Sequence, residues 1–277
     1  MRRLEALLIG LLLVAPVLAA TLFAAPGGGI PPAATKTDAR LAAATAAADP
    51  TADELIAKYV AKIGGADKLA AIKTLKKTGK FTGGGMGFEA KVLEENKRPS
   101  MVRQEFVIQG MSGITAYDGK DGWKIDPFQG KKDVEPLAEE EKKEIVEDSD
   151  FDGPLVDYKT KGNKVELAGK EPVEGTDAWK LKVTLASGDV QYYFMDVDDA
   201  VPIKIEKKRT IRGAERESET SIGDYKEVAG VYFPHSFESG PKGSSNRSKV
   251  VYDKIEANVP LDDSLFRPPA PAKAQGQ

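Results

Sequence analysis

Cysteine is absent from the 277 residues, and histidine occurs once, as His235. The first absence excludes disulfides, thiolate metal sites, cysteine nucleophiles and a lipid-modified N-terminal cysteine. The second excludes histidine-cluster metal centres and leaves a serine triad one candidate base. His235 stands in Tyr232-Phe233-Pro234-His235-Ser236-Phe237, where strand alternation accounts for it without any chemistry. Also missing are G-x-S-x-G, H-E-x-x-H and G-x-x-x-x-G-K-[ST]. Gly83-Gly84-Gly85-Met86-Gly87 has strand pattern on both sides, which predicts a hairpin turn and not a phosphate loop opening a helix. There is no concentrated basic face: the net charge is −3, with lysines and acids interleaved, which argues against a nucleic-acid partner. No pair of acidic residues stands out as acid and base, so no catalysis is expected.

What is present begins with Arg2 and Arg3 ahead of an apolar run, Leu4 to Ala25. Residues 1–25 read as an export signal or an N-terminal membrane anchor, with small residues at Val17-Leu18-Ala19 and Leu22-Phe23-Ala24 for cleavage. Residues 26–50 are rich in Ala, Pro and Gly and read as a flexible tether. The folded domain is expected over 51–267. Residues 268–277, PPAPAKAQGQ, have the composition of a disordered tail.

Thr51 and Glu54 form a T-x-x-E capping box before a helical stripe of Leu55, Ile56, Tyr59, Val60 and Ile63. From Leu75 the period changes from helical to alternating. Leu181, Val183 and Leu185 against Lys180, Lys182 and Thr184 is the clearest case, and Ser187-Gly188-Asp189 after it is a turn. About ten to eleven antiparallel strands, one N-terminal helix and one mid-chain helical insertion define an α+β fold. Pro202 and Pro234 are expected at edge or bulge positions.

The insertion lies within Tyr117–Lys170. Pro136 suits a first helical position, and Glu139 to Glu141 suit a helix N-terminus, so a helix is predicted over about 136–147. Only Leu137, Ile145 and Val146 are strongly apolar there, too thin a stripe for firm docking. A lid is the reading. Asp148-Ser149-Asp150-Phe151-Asp152-Gly153 matches the first half of a calcium loop, with Asp148, Asp150 and Asp152 as ligands. Position twelve is Lys159, where the loop needs a glutamate, and three carboxylates in six residues can equally be a solvated loop.

The remaining signal is apolar. Met86, Met101 and Met111 suit a surface that accepts irregular chains. Phe88, Phe106 and Ile108 recur on strand faces, and Trp123, Ile125, Phe128 and Phe151 flank the lid on both sides. With Leu137, Ile145 and Leu155 of the lid, and Trp179 and Phe194 further along, these are the candidate lining of an apolar cavity. Each alone is equally at home in an ordinary core.

Several phrases resemble the outer-membrane lipoprotein-sorting proteins of LolA/LolB-like fold. They are Tyr117-Asp118-Gly119 through Trp123 to Pro127-Phe128, Asp150-Phe151-Asp152-Gly153-Pro154-Leu155-Val156-Asp157-Tyr158, Asp224-Tyr225-Lys226-Glu227-Val228-Ala229-Gly230-Val231 with Pro234-His235, and the ending Leu261-Asp262-Asp263-Ser264-Leu265-Phe266. The resemblance implies a strongly curved, unclosed antiparallel β-barrel with helices plugging its opening. It implies a periplasmic monomer that holds the acyl chains of lipoproteins or other lipids, with no cofactor and no turnover. It also implies a lid-latching arginine, for which Arg103 is the candidate. The alternative is a membrane-tethered sensor or interaction module that uses the same fold for an envelope protein partner.

Overall fold

A computed structural model of the chain describes residues 49–85, 87–211 and 214–269. The expected leader, nearly all of the tether, most of the tail and Met86 lie outside the described residues. Thr51 closes the capping box: its Oγ1 accepts the Glu54 N–H at 3.2 Å and its N–H donates to Glu54 Oε2 at 2.7 Å. It opens α1 (Ala52–Lys62), which α2 (Ala66–Ala71) follows.

Thirteen strands come next, two or three more than the alternation predicts. They are β1 (Thr74–Thr82), β2 (Glu89–Lys97), β3 (Met101–Ile108), β4 (Met111–Tyr117), β5 (Gly122–Ile125) and β6 (Glu135–Pro136). The remainder are β7 (Lys164–Val173), β8 (Thr176–Thr184), β9 (Val190–Asp196), β10 (Pro202–Ile211), β11 (Ala214–Val228), β12 (Val231–Pro241) and β13 (Ser248–Ala257). The helix α3 (Glu139–Ser149) lies between β6 and β7. All strands form one antiparallel sheet in the order β6-β5-β4-β3-β2-β1-β13-β12-β11-β10-β9-β8-β7, so among the described residues β6 and β7 are unpaired edges and the sheet does not close.

The helix α3 starts three residues later than Pro136. Glu135 and Pro136 pair with Lys124 and Trp123 instead, and the Leu137 N–H donates to the Gly122 carbonyl at 3.1 Å. A sheet edge tolerates a proline, which has no N–H for a further strand. Ala138 then precedes the helix with half of a capping box, its N–H donating to Glu141 Oε2 at 2.9 Å. Pro202 sits at a register shift between β9 and β10. Pro234 sits where β12 has left β13, whose pairing covers only Ser236–Ser239; beside it, the buried His235 Nδ1 lies 2.8 Å from the Tyr252 carbonyl.

Curvature follows from one helix. Asp148 of α3 accepts from Gln104 of β3, and the preceding Glu147 accepts from Gln191 of β9. Seven strand spacings separate β3 from β9, roughly 34 Å on a flat sheet, whereas a helix with its side chains is about 10–12 Å across. Both contacts require the sheet to wrap around α3. A bulge at Thr78/Gly79 helps β1 bend; a Cβ on Gly79 would stand 2.0 Å from the Val251 carbonyl oxygen. On the concave face, Leu55, Ile56 and Leu155 bury against Leu181, Val183, Tyr193 and Met195. Beside them Ile63, Leu69, Ile72 and Val156 bury against Leu75, Val231, Phe233 and Ile255. The two helices and the turns from Phe151 onward thus fill one end of the half-barrel.

Candidate functional site

Three zones follow one another along the concave face. The first is the packed end just described, which keeps a cavity of about 200 Å³ between α1, residues 150–155 and strands β9 to β13. Tyr59, Phe151, Leu155, Ile205, Ile222 and Phe237 are among its walls.

The second zone is a polar rung. Lys77, Glu94, Gln104, Thr115 and Lys124 are successive register partners on β1 to β5. Lys77 Nζ lies 2.8 Å from Glu94 Oε1, and the Tyr252 hydroxyl donates to Glu94 Oε2 at 2.7 Å. Burial pushes the Glu94 carboxyl up, but the Lys77 ammonium and the hydrogen bonds from Lys77, Tyr252 and Asn96 outweigh it and hold the group below its ordinary range. The helix α3 docks on this rung. Gln104 donates to Asp148 at 3.1 Å, Lys124 pairs with Glu141, and on the far wall Gln191, Lys207 and Arg209 meet Glu147 and Glu144. Asp148 keeps contact with solvent although protein surrounds it, and that partial withdrawal from water raises its carboxyl, with Lys207 opposing. Of the thin apolar stripe, Ile145 is buried against Val102, Tyr117 and Leu137, whereas Val146 is 40% exposed.

The third zone is apolar and half-exposed. Phe88 lies 5.7 Å from Phe81, which lies 5.8 Å from Phe106. Phe128 seats on Gly113, the register partner of Phe106, and Met111 pairs with Ile108 at the hairpin tip. In the other direction Phe81, Val250, Phe237 and Ile222 are successive partners across β1, β13, β12 and β11. The band therefore runs from β4 to β11 and ends at two residues of the cavity wall.

The structure thus brings Phe88, Phe106, Ile108, Met111 and Phe128 into one band, and Phe151 and Leu155 into the cavity wall. Leu137 and Ile145 fix the lid, and Trp179 packs with the α1 cluster. Four expected residues point elsewhere. Register puts Met101 beside Arg103 and Glu105 on the convex face, and Trp123 with Ile125 there too. Trp123 donates its Nε1–H to the Phe266 carbonyl at 2.8 Å, under the C-terminal turn. Phe194 is fully buried on that same face, with the ammonium groups of Lys180 and Lys204 standing 5.0 and 4.0 Å from its ring centre.

Among the described residues Asp148, Asp150 and Asp152 do not come together as one ligand set. Asp148 is engaged by Gln104, Asp150 by Lys161 and Asp152 by Arg98, and among the described residues no group of three or more His, Cys, Asp or Glu could hold a metal. Arg103 is not a latch either: it pairs with Glu95 and Glu105 on the convex face. Arg98 holds the turn segment instead. It makes two 2.6 Å bonds to Asp152, donates to the Ile72 and Leu69 carbonyls, and stacks 4.4 Å from the centre of the Phe151 ring. Arg98, Gln104, Gln191, Lys207 and Arg209 escape sequence reasoning, although the last four have one signal. Each is polar in line with apolar residues of its own strand, Gln104 with Val102 and Phe106, Gln191 with Tyr193 and Met195, Lys207 and Arg209 with Ile205, the kind of local inconsistency that marks functional sites.

No family model matches the chain, and no curated protein does. Solved structures do. A LolA superfamily protein from Nitrosomonas europaea aligns at 12% identity with a TM-score of 0.54, covering 79% of this chain and 98% of that one. A DUF1329 family protein from Desulfovibrio piger aligns at 11% and 0.55, covering 78% and 97%. A protein domain described as outer membrane lipoprotein-sorting, from Vibrio parahaemolyticus, aligns at 13% and 0.52, covering 76% and 97%. The fold is LolA-like. Among the described residues no helix is long and apolar enough to cross a membrane.

Proposed function

We propose that this protein is an exported carrier or holder of lipid in the bacterial envelope, binding acyl chains on its concave face without turning them over. The observation that supports this is the half-exposed apolar band running from Phe128 through Phe106, Phe81 and Phe237 into the cavity beneath Phe151 and Leu155. Its six strand spacings measure roughly 29 Å, about twice the depth of one leaflet of a bilayer core. A tail segment of about six methylenes buried there gains about 5 kcal/mol.

At about 200 Å³ the cavity is smaller than the ~300–1,000 Å³ of typical ligand pockets. Loading therefore involves α3 and the 150–155 segment giving way, with the contacts of Ile145 and Leu155 exchanged for cargo. In this reading residues 1–25 direct export and 26–50 tether or space the domain. The test is lipid extraction and mass spectrometry on the full chain purified from envelopes. Wild-type protein is expected to carry acylated molecules and Phe106→Ser to carry several-fold less. Wild-type protein that is consistently empty would overturn the proposal.

A further inference from the structure

We infer that Gln191, Lys207 and Arg209 form an anion-binding subsite for the headgroup of an acidic phospholipid, occupied in the closed protein by the lid's own Glu147. The inference rests on the lipid-holding reading and assigns the charge of the cargo. Oxygen Oε2 of Glu147 accepts from Gln191 Nε2 at 2.9 Å and Lys207 Nζ at 3.4 Å, and Arg209 Nη2 stands 2.6 Å from it as an ion pair without hydrogen-bond alignment. Two donors and a guanidinium charge from two strands thus converge on one oxygen.

The cradle is built from below. Gln191 is 2% exposed, and the Tyr193 hydroxyl donates to its Oε1 at 3.1 Å, which turns Nε2 toward the anion. Arg209 spends Nη1 on Glu144 at 2.8 Å, while its buried Nε and Nη2 make no hydrogen bond among the described residues. A carboxylate fixed on a helix leaves those donors idle. A phosphodiester offers further oxygens, and guanidinium forks match phosphate in pairs. The position suits a headgroup as well. Ile205, two residues before Lys207 on the same face, lines the apolar cavity, so charge and tail would sit about 7 Å apart along one strand. Binding of the headgroup would displace Glu147 and free that end of α3.

Calorimetry with soluble short-chain lipids tests this, comparing dihexanoyl phosphatidylglycerol with dihexanoyl phosphatidylcholine on wild type, Glu147→Gln and Arg209→Gln. Glu147→Gln removes the competing anion and is expected to tighten the glycerol lipid about tenfold, and the choline lipid, whose phosphodiester is offset by an ammonium that Lys207 and Arg209 repel, far less. Arg209→Gln is expected to abolish the preference; should that variant fail to fold, Lys207→Gln carries the same expectation. Equal affinity for both lipids in every protein overturns the subsite while the lipid-holding reading stands. Binding of neither lipid overturns both. Glycerol phosphate binding as tightly as phosphatidylglycerol would make this a site for small anions and overturn the lipid assignment.

Discussion

Single residues on the concave face show why charge is tolerated beside an apolar cavity. Glu94 is largely buried, but Lys77 and the Tyr252 hydroxyl both reach it, so removing one partner strands a charge instead of a dipole. Tyr252→Phe should cost about 2 kcal/mol at neutral pH, the typical worth of a hydrogen bond to a charged group. The sign with pH follows from the direction of the Glu94 shift. Its folded-state pKa is depressed, so its stabilisation is fully present above the ordinary carboxylate value of about 4.3 and is lost as pH falls through the folded value. The gap between wild type and variant should therefore be widest near neutrality and shrink in acid. Urea midpoints at neutral pH and near pH 3 measure it, and a constant gap would show that the hydroxyl acts through packing alone. Asp148 runs the other way: its raised value improves stability as pH falls. Being present in both proteins, it cancels to first order in the comparison.

At the scale of elements, what could be read from the sequence and what could not divide along a physical line. Alternation locates strands and sorts each into two faces, which is why Phe88 on one strand and Phe106 with Ile108 on the next were legible as residues of apolar faces. It does not say which face is concave. Trp123, Ile125 and Phe194 are as apolar as the band, yet they cover the other side because the register of β5 and β9 carries them there. The lid was legible as a poor hydrophobic helix, but its real attachment depends on Gln191, Lys207 and Arg209, which are far from it in sequence and meet it only once the sheet curls. That attachment is electrostatic, so it should be sensitive to salt. Hydrogen exchange of residues 139–149 should quicken several-fold between low and high ionic strength, while β1 and β13 hold their protection. Arg209→Gln should produce the same quickening at low salt. Exchange in α3 that ignores both would mean Ile145 alone holds the helix, and the ion pairs would then be incidental.

For the whole molecule, the half-barrel is a wall with one side bridged by a helix. The packed end is held by α1, α2 and the Arg98–Asp152 clasp, the band at the other end is half-exposed, and α3 spans the gap between β3 and β10. On the proposed lipid-holding function, cargo passing from the band into the cavity moves beneath or past that helix. The absence of cysteine allows a clean test. Lys124→Cys on β5 and Glu141→Cys on α3 replace an ion pair outside the anion cradle, and a short reducible bis-maleimide would join the only two thiols in the chain. Cross-linked protein should take up little lipid from vesicles, cross-linked protein already loaded should release little, and reduction should restore both rates. Uptake that proceeds unchanged with the helix pinned would mean that lipid enters the cavity from another side, and α3 would then be a strut of the wall and not its door.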